Sequence, residues 1–322
     1  MKDLRVAVVG AGYLGRFHAQ KYAAMPQVDL VGVVDLDRDQ AEAVAEEVGS
    51  RAYTDIASLT AAGGVDAVSI VVPTGAHFEA SRTFLEQGVD LLIEKPMTTT
   101  LEEADKLIAI AEANGALIQV GHLERFNSAV VALEDIVANP RFIESHRLST
   151  FKNRGTDVSV VLDLMIHDID IILNFVRSEV TAINAAGIPV ITGEIDIANA
   201  RLEFANGCVA NVTASRISAK NQRKIRLFQA DAYVSVDFAS HEATIIKKEG
   251  APKGGEVIPG MAIDQRCFTH GDALDDELKS FVHAVRQRQS PEVTGEMGRD
   301  ALKIALSIMN QIDKSSARLL GH

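Results

Sequence analysis

Val6-Ala7-Val8-Val9-Gly10-Ala11-Gly12-Tyr13-Leu14-Gly15 decides the fold. An apolar, largely β-branched run stops at a glycine, and helical spacing begins at once over Leu14–Ala24, which reads as strand, turn and helix. In a GxGxxG turn of this kind Gly10 permits the tight bend, Gly12 lets the backbone approach a pyrophosphate, and Gly15 lets helix and strand pack closely. The free N–H groups and dipole of the helix N-terminus favour an anion there, with Tyr13 and Leu14 lining the turn. Asp35 closes the next strand, Leu30–Val34, twenty residues after Gly15. A carboxylate there can accept both ribose hydroxyls of an adenosine; the alternative is an ordinary strand-end aspartate capping a turn. Leu36 and Asp37 follow instead of a base, so a 2′-phosphate would meet negative charge and NAD is expected over NADP.

Outward from this unit, strand and helix keep alternating. Ala41–Val48, Phe78–Gln87 and Leu101–Ala113 have helical spacing, and Ala67–Val72, Leu91–Ile93 and Leu117–Val120 are apolar runs with little alternation. Strands of that type are buried on both faces, so residues 1–121 are expected to form a doubly wound α/β Rossmann domain with a parallel sheet. The middle of the chain changes character. Phe142–Thr150, Val180–Ile188, Ala198–Phe204, Cys208–Ser215 and Lys224–Asp237 alternate, with the hairpin dipeptide Asn206-Gly207 between two of them. Residues 122–322 are therefore expected to form an α+β domain with a large, mostly antiparallel sheet and helices on one side; the resemblance given below implies that this sheet is open-faced and that the domain serves substrate binding and oligomerisation. Its helical tail, Ala273–Arg286 and Asp300–Ile312, is expected to pack back on the first domain.

Composition narrows the function. With 32 Lys and Arg against 44 Asp and Glu, the net charge of -12 argues against a nucleic-acid surface, which needs an excess of bases. Cys208 and Cys267 are too few for a disulfide framework, and no Cys/His spacing suggests a metal. Met1-Lys2-Asp3-Leu4-Arg5 leads into an apolar run that stops at Gly10, so neither a leader nor a membrane segment is expected, and the cytoplasm is the expected location.

Three further stretches carry chemistry. Pro73-Thr74-Gly75-Ala76-His77 and Glu94-Lys95-Pro96 each follow a strand of the parallel sheet, at the carboxyl edge where open α/β folds bind ligands. Pro73, Thr74, His77, Glu94 and Lys95 are thus expected at the cofactor, with helix capping as the alternative for Thr74. A protonated Lys95 suits stabilisation of a developing alkoxide, and acting as a base would require a lowered pKa. On a regular helix Asp163, His167, Asp170 and Asn174 fall on one stripe, opposite Leu162, Met165, Ile169, Ile172 and Val176. Either this is a solvated face, or His167 is a general base oriented by Asp163. After the last parallel strand, His122, Arg125 and Asn127 are expected to contact substrate. Arg154 and Arg216, with Arg147, Lys152, Lys220, Arg223, Lys224 and Arg226, supply bases that can cradle a pyrophosphate or merely solvate a sheet face.

These segments together resemble the Gfo/Idh/MocA family, the glucose-fructose oxidoreductase and inositol dehydrogenase group. The resemblance runs over nearly the whole chain, including Gly10–Gly15, Pro73-Thr74 with His77, Glu94-Lys95-Pro96, Asp163 with His167, Asp275–Phe281, and Pro291 with Gly295-Glu296. It implies a Rossmann domain plus an open-sheet domain, an often cis Lys95–Pro96 bond, and homodimers or homotetramers through the sheet. It also implies Lys95 and His167 at a reacting hydroxyl, with Asp163 holding substrate or orienting the base; which of Lys95 and His167 takes the proton stays open. The wording of the segments is most similar to members that oxidise a nucleotide sugar such as UDP-N-acetylglucosamine at C3, in the supply of lipopolysaccharide. Free sugars or inositol are the alternative, and so is a non-catalytic NAD(H)-binding regulator. Where many members carry glycines before the aspartate, this chain reads Asp157-Val-Ser-Val-Val-Leu162, which alters the loop leading to the substrate residues.

Overall fold

The strand β1 (Leu4–Val9) lies inside a six-stranded sheet whose registered pairs are all parallel. The computed structural model describes residues 3–153, 155–249, 260–268 and 271–319. With β2 (Val28–Val34), β3 (Ala52–Tyr53), β4 (Ala67–Ile70), β5 (Asp90–Glu94) and β6 (Ile118–Gly121), the order is β3-β2-β1-β4-β5-β6. This is the doubly wound order, whose direction reverses between β1 and β4. All four residues of β4 are buried, as are the first four of β5, which is why these strands show no alternation.

The crossover helices are α1 (Tyr13–Ala24), α2 (Arg38–Val48), α3 (Ile56–Ala62), α4 (His77–Leu85) and α5 (Leu101–Asn114). Their ends follow local chemistry. The Asp37 side chain accepts from the N–H groups of Asp39 and Gln40, so α2 starts before its first apolar position at Ala41. Thr100 and Glu103 form a capping box on α5, and left-handed Gly49 and Gly115 close α2 and α5. Lys95–Pro96, just beyond β5, is cis.

By contact density the chain divides into two units. The first runs to Leu123 and takes in Asp272–Leu302; the second comprises Glu124–Gly271 and the residues from Lys303. The second holds an eight-stranded sheet made of β7 (Phe142–Leu148), β8 (Val180–Ile188), β9 (Ile197–Phe204), β10 (Val209–Ser215), β11 (Gln222–Phe228), β12 (Ala232–Asp237), β13 (Glu242–Lys248) and β14 (Met261–Cys267). The order is β14-β13-β12-β11-β7-β10-β9-β8; β7 and β10 are parallel and the other neighbours antiparallel. The Asn206-Gly207 turn joins β9 to β10, with Gly207 at φ 82° and the Asn206 side chain accepting from the Cys208 N–H. Lys224–Asp237, which reads as one strand, is the hairpin β11–β12, and β13 and β14 extend the sheet further than expected. The helices here are α6 (Ser128–Val131) and α7 (Ile166–Val176), the latter entered through a π-helical turn at Val161–Met165.

Two more helices end the chain, α8 (Ala273–Gln287) and α9 (Gly295–Leu319). In the first unit, Leu274, Leu278, Phe281, Val282 and Val285 of α8 share one buried cluster with Val6, Val8, Tyr22 and Leu30. Among the described residues no helix is long and apolar enough to cross a membrane, and no group of metal-binding side chains occurs.

Candidate active site

In the first unit, the glycines of the turn after β1 differ in what surrounds them. A Cβ on Gly10 (φ +104°) would lie 2.4 Å from the Val71 carbonyl oxygen, and one on Gly15 only 1.8 Å from that of Gly10. At Gly12 a Cβ would meet nothing within 4 Å. Two of the glycines are thus demanded by backbone packing, whereas Gly12 borders open space. Gly12 is also the N-cap of α1 and has no side chain of its own to cap that end, a helix N-terminus of the kind that suits an anion. Asp35 braces the same turn: one oxygen accepts from Ala11 N–H at 2.7 Å and the other from Asp37 N–H at 2.9 Å. Each oxygen keeps a further acceptor site, enough for a ribose diol. These residues fit a dinucleotide. Tyr13 is 72% exposed at the start of α1, edge-on to Phe17, and Leu14 is half-buried behind it.

Beyond β4, exposed Pro73 precedes a short 3-10 turn over Thr74–Ala76. Thr74 does not cap α4, for Ala76 occupies that position. His77 is held by the backbone on both sides of its ring. Its ring is buried, with Nδ1 3.0 Å from the Pro96 carbonyl oxygen and Nε2 2.8 Å from that of Val72. Burial pushes this imidazole below its ordinary pKa even though both carbonyls favour the charged form. Its place is to tie the loop after β4 to the Lys95–Pro96 turn.

Glu94 ends β5 with its carboxylate 3.2 Å from Nε2 of His18, a fully buried residue of α1. A Cβ on Gly121 would come within about 3 Å of that carboxylate, so Gly121 makes room for it. Sequence reading missed His18; the available signal was a polar residue on the buried stripe Gly15, Ala19, Tyr22. Lys95 follows, half-buried, and His122 is buried just past β6.

In the second unit, Asp163 lies on the π-helical turn and His167 in the first turn of α7, both half-buried. The wider turn breaks the regular spacing on which the four-residue stripe was drawn, and π-turns cluster at functional positions. Of the stripe Asp163, His167, Asp170 and Asn174, Asp170 is buried and the other three are half-buried, and Asp168, off the stripe, is buried too. Asp168 receives Arg147 Nε at 2.6 Å and the Ser145 hydroxyl at 2.8 Å. Arg147 Nη1 donates to Glu124 at 2.9 Å. Burial would weaken the Arg147 charge and raise the Glu124 pKa, but their attraction, joined by Asp168, outweighs it: Arg147 shifts up and Glu124 down. Arg125 lies 3.6 Å from Asp170.

Several expected ligand groups are therefore already engaged. Arg147 is enclosed by carboxylates, and Arg226 pairs with Glu144 at 2.7 Å. Asn127 caps α6 by accepting from Ala129 N–H. Arg216 donates to the carbonyls of Gly155, at 2.6 Å, and Val158. Arg154 lies outside the described residues.

Comparison with known proteins gives two family matches. Residues 4–122 match the oxidoreductase family with an NAD-binding Rossmann fold, and residues 130–235 match the GFO/IDH/MocA C-terminal domain. The chain is 38% identical over 309 residues to the UDP-N-acetylglucosamine 3-dehydrogenase of Acidithiobacillus ferrooxidans, covering 96% of this chain and 97% of that one. A crystal structure of that enzyme superposes with a TM-score of 0.91, covering 98% and 99% of the two chains. The NAD(+)-dependent scyllo-inositol 2-dehydrogenase of Bacillus subtilis is 28% identical, covering 96% and 94%.

Proposed function

The chain belongs to the Gfo/Idh/MocA family of NAD-binding oxidoreductases, and from that premise we propose that it oxidises UDP-N-acetylglucosamine, or a near nucleotide sugar, at the C3 hydroxyl. The observation that carries this reading is the 38% identity, along 96% of the chain, to a dehydrogenase of that specificity, against 28% to an inositol dehydrogenase.

NAD, when bound, accepts the hydride. The rest falls to side chains. Gly10, Gly12 and Gly15, with the N-terminus of α1, would hold its pyrophosphate, Asp35 would hold its adenosine ribose, and Thr74 would contact it. Lys95 places positive charge beside the oxygen that becomes negative as hydride leaves, an electrostatic role that favours the transition state. His167 takes the hydroxyl proton as general base, and Asp163 holds the sugar or orients that base. His122 contacts substrate. His77 supports the Lys95–Pro96 turn through the Pro96 carbonyl, and Glu94 stands at the start of that turn beside His18.

The first unit thus serves the cofactor, and the second serves substrate and self-association in a cytoplasmic enzyme that supplies lipopolysaccharide precursors. For the latter role a homodimer or homotetramer is supported by one row of the large sheet. Val209, Phe142, Phe228, Tyr233, Ile246 and Ile263 lie side by side across six strands. Phe142, Phe228 and Tyr233 are in ring contact at 5.6 and 5.0 Å. A continuous apolar row on a sheet face suits burial by a second copy.

The test is NADH formation with UDP-hexosamines, UDP-uronates, free hexoses and inositols in parallel. A signal confined to UDP-sugars supports the proposal. Ready turnover of inositols or free sugars alone would replace the substrate, and tight NADH binding with no turnover anywhere would indicate a regulator.

A further inference from the structure

Arg216 stands immediately after β10 and is 5% exposed. Nη1 donates to the Gly155 carbonyl at 2.6 Å and Nη2 to that of Val158, while Nε lies 3.8 Å from the Asp196 carboxylate. The Arg216 N–H also donates to the Asp196 carbonyl at 3.0 Å. Asp196, itself fully buried, has one oxygen accepting from the N–H groups of Val190, Ile191 and Thr192 at 2.8, 2.6 and 2.9 Å. Its other oxygen accepts from the Thr192 hydroxyl at 2.7 Å. The guanidinium is therefore committed to backbone, on a carboxylate that is itself pinned.

What it holds lies directly before the π-helical turn. A Cβ built on Gly155 (φ +66°) would sit 3.5 Å from Oδ2 of Asp163. Gly155, whose carbonyl oxygen is given to Arg216, thus lies beside the Asp163 carboxylate. Four residues on, the Ser159 carbonyl accepts from the N–H groups of Leu162 and Asp163 at 3.1 and 3.0 Å. The loop is thus fixed at two carbonyls on one side of Ser159 and enters the turn bearing Asp163 on the other.

We propose that Arg216, backed by Asp196, is a positioning residue that sets the place of Asp163. The proposal rests on the reading of Asp163 as a sugar-binding or base-orienting group. A lysine cannot substitute, because one ammonium lacks the planar fork that reaches two carbonyls.

The experiment compares wild type, R216K and D196N by steady-state kinetics with NAD and UDP-N-acetylglucosamine, by NAD affinity, and by hydrogen exchange of the 155–165 segment. For R216K we expect kcat/KM for the sugar to fall on the order of 10²-fold, as misplacements of about 1 Å do, with NAD affinity within about twofold. Exchange should quicken in 155–165 and stay unchanged in the parallel sheet. D196N should move in the same direction by less, and it decides the matter if R216K does not fold. Wild-type kinetics and exchange in both variants would overturn the clamp, as would loss of NAD affinity in step with turnover. If wild type itself turns over no sugar, the substrate reading has failed, and exchange alone decides: faster 155–165 exchange upholds the clamp, unchanged exchange ends it.

Discussion

Replacing Gly12 with alanine should separate cofactor binding from folding. At Gly10 a new Cβ would sit 2.4 Å from a backbone oxygen, and at Gly15 1.8 Å from another; both are far inside contact distance, so those substitutions must move β1 against α1 or the loop after β4. At Gly12 the backbone is ordinary (φ -66°) and the space is open. Alanine there restricts the unfolded chain, worth about 0.4–1 kcal/mol, and is a poorer N-cap than glycine by roughly the same amount. The two effects nearly cancel, so the cofactor-free Tm should stay within a few degrees of wild type. The methyl, however, fills the space a pyrophosphate needs to reach the helix N–H groups. Losing one hydrogen bond to a charged group costs about 1.5–3 kcal/mol, or about 10- to 150-fold in Kd. Calorimetric titration with NAD and thermal melts without it read the two quantities. Unchanged NAD affinity in G12A, or a cofactor-free variant that melts tens of degrees lower, would refute the assignment of Gly12 to the cofactor.

Lys95→Ala and His167→Ala should each lower kcat at least about 10²-fold, the usual scale for general acid–base and electrostatic groups, with NAD affinity nearly intact; parallel loss of NAD binding would remove them from the chemistry. Arg147→Met should destabilise the protein by about 3–5 kcal/mol in urea denaturation, because it leaves buried Asp168 without its cation, whereas Arg147→Met with Asp168→Leu should recover much of that. With Asp168→Leu measured alone as well, a double-variant loss equal to the sum of the two single losses would show the pair to be uncoupled. Burial alone would raise the Asp196 pKa, but the N–H groups of Thr192, Ile191 and Val190 and the Thr192 hydroxyl hold it well below the usual carboxylate range. Its stabilising contribution is complete above the unfolded value of about 4 and is lost as pH falls toward the folded one. The Tm gap between wild type and D196N should therefore be constant near neutrality and shrink below about pH 4; a gap that persists undiminished into strong acid contradicts this.

Much of the fold was legible because its cues are local. The strands of the first unit are apolar on both faces, the fingerprint glycines fix the first crossover, and Asn206-Gly207 marks a hairpin. What escaped reading lacks such cues. β3 has only two residues, and β13 and β14, at one edge of their sheet, mix apolar with charged residues. The run Lys224–Asp237 keeps its alternation through a turn, so periodicity alone could not divide it.

The site was legible to a different extent, for a physical reason that α7 makes plain. Sequence spacing names which residue types share a helix face, but whether a charge is free or engaged depends on partners distant in the chain. Arg147 meets Glu124 and Asp168 across separations of 23 and 21 residues, and Arg216 meets the Gly155 carbonyl across 61. Read along the chain, these arginines resemble an anion cradle; in three dimensions each has its charge matched or its donors committed. A helix rich in isoleucine yet carrying buried Asp168 and Asp170 was the available warning, because a charge on an apolar helix must be compensated where it is buried. That compensation constrains how α7 can rotate or slide, since either motion would strip Asp168 from Arg147. The same ion pair that removes Arg147 from the list of ligands therefore fixes the helix on which His167 is carried.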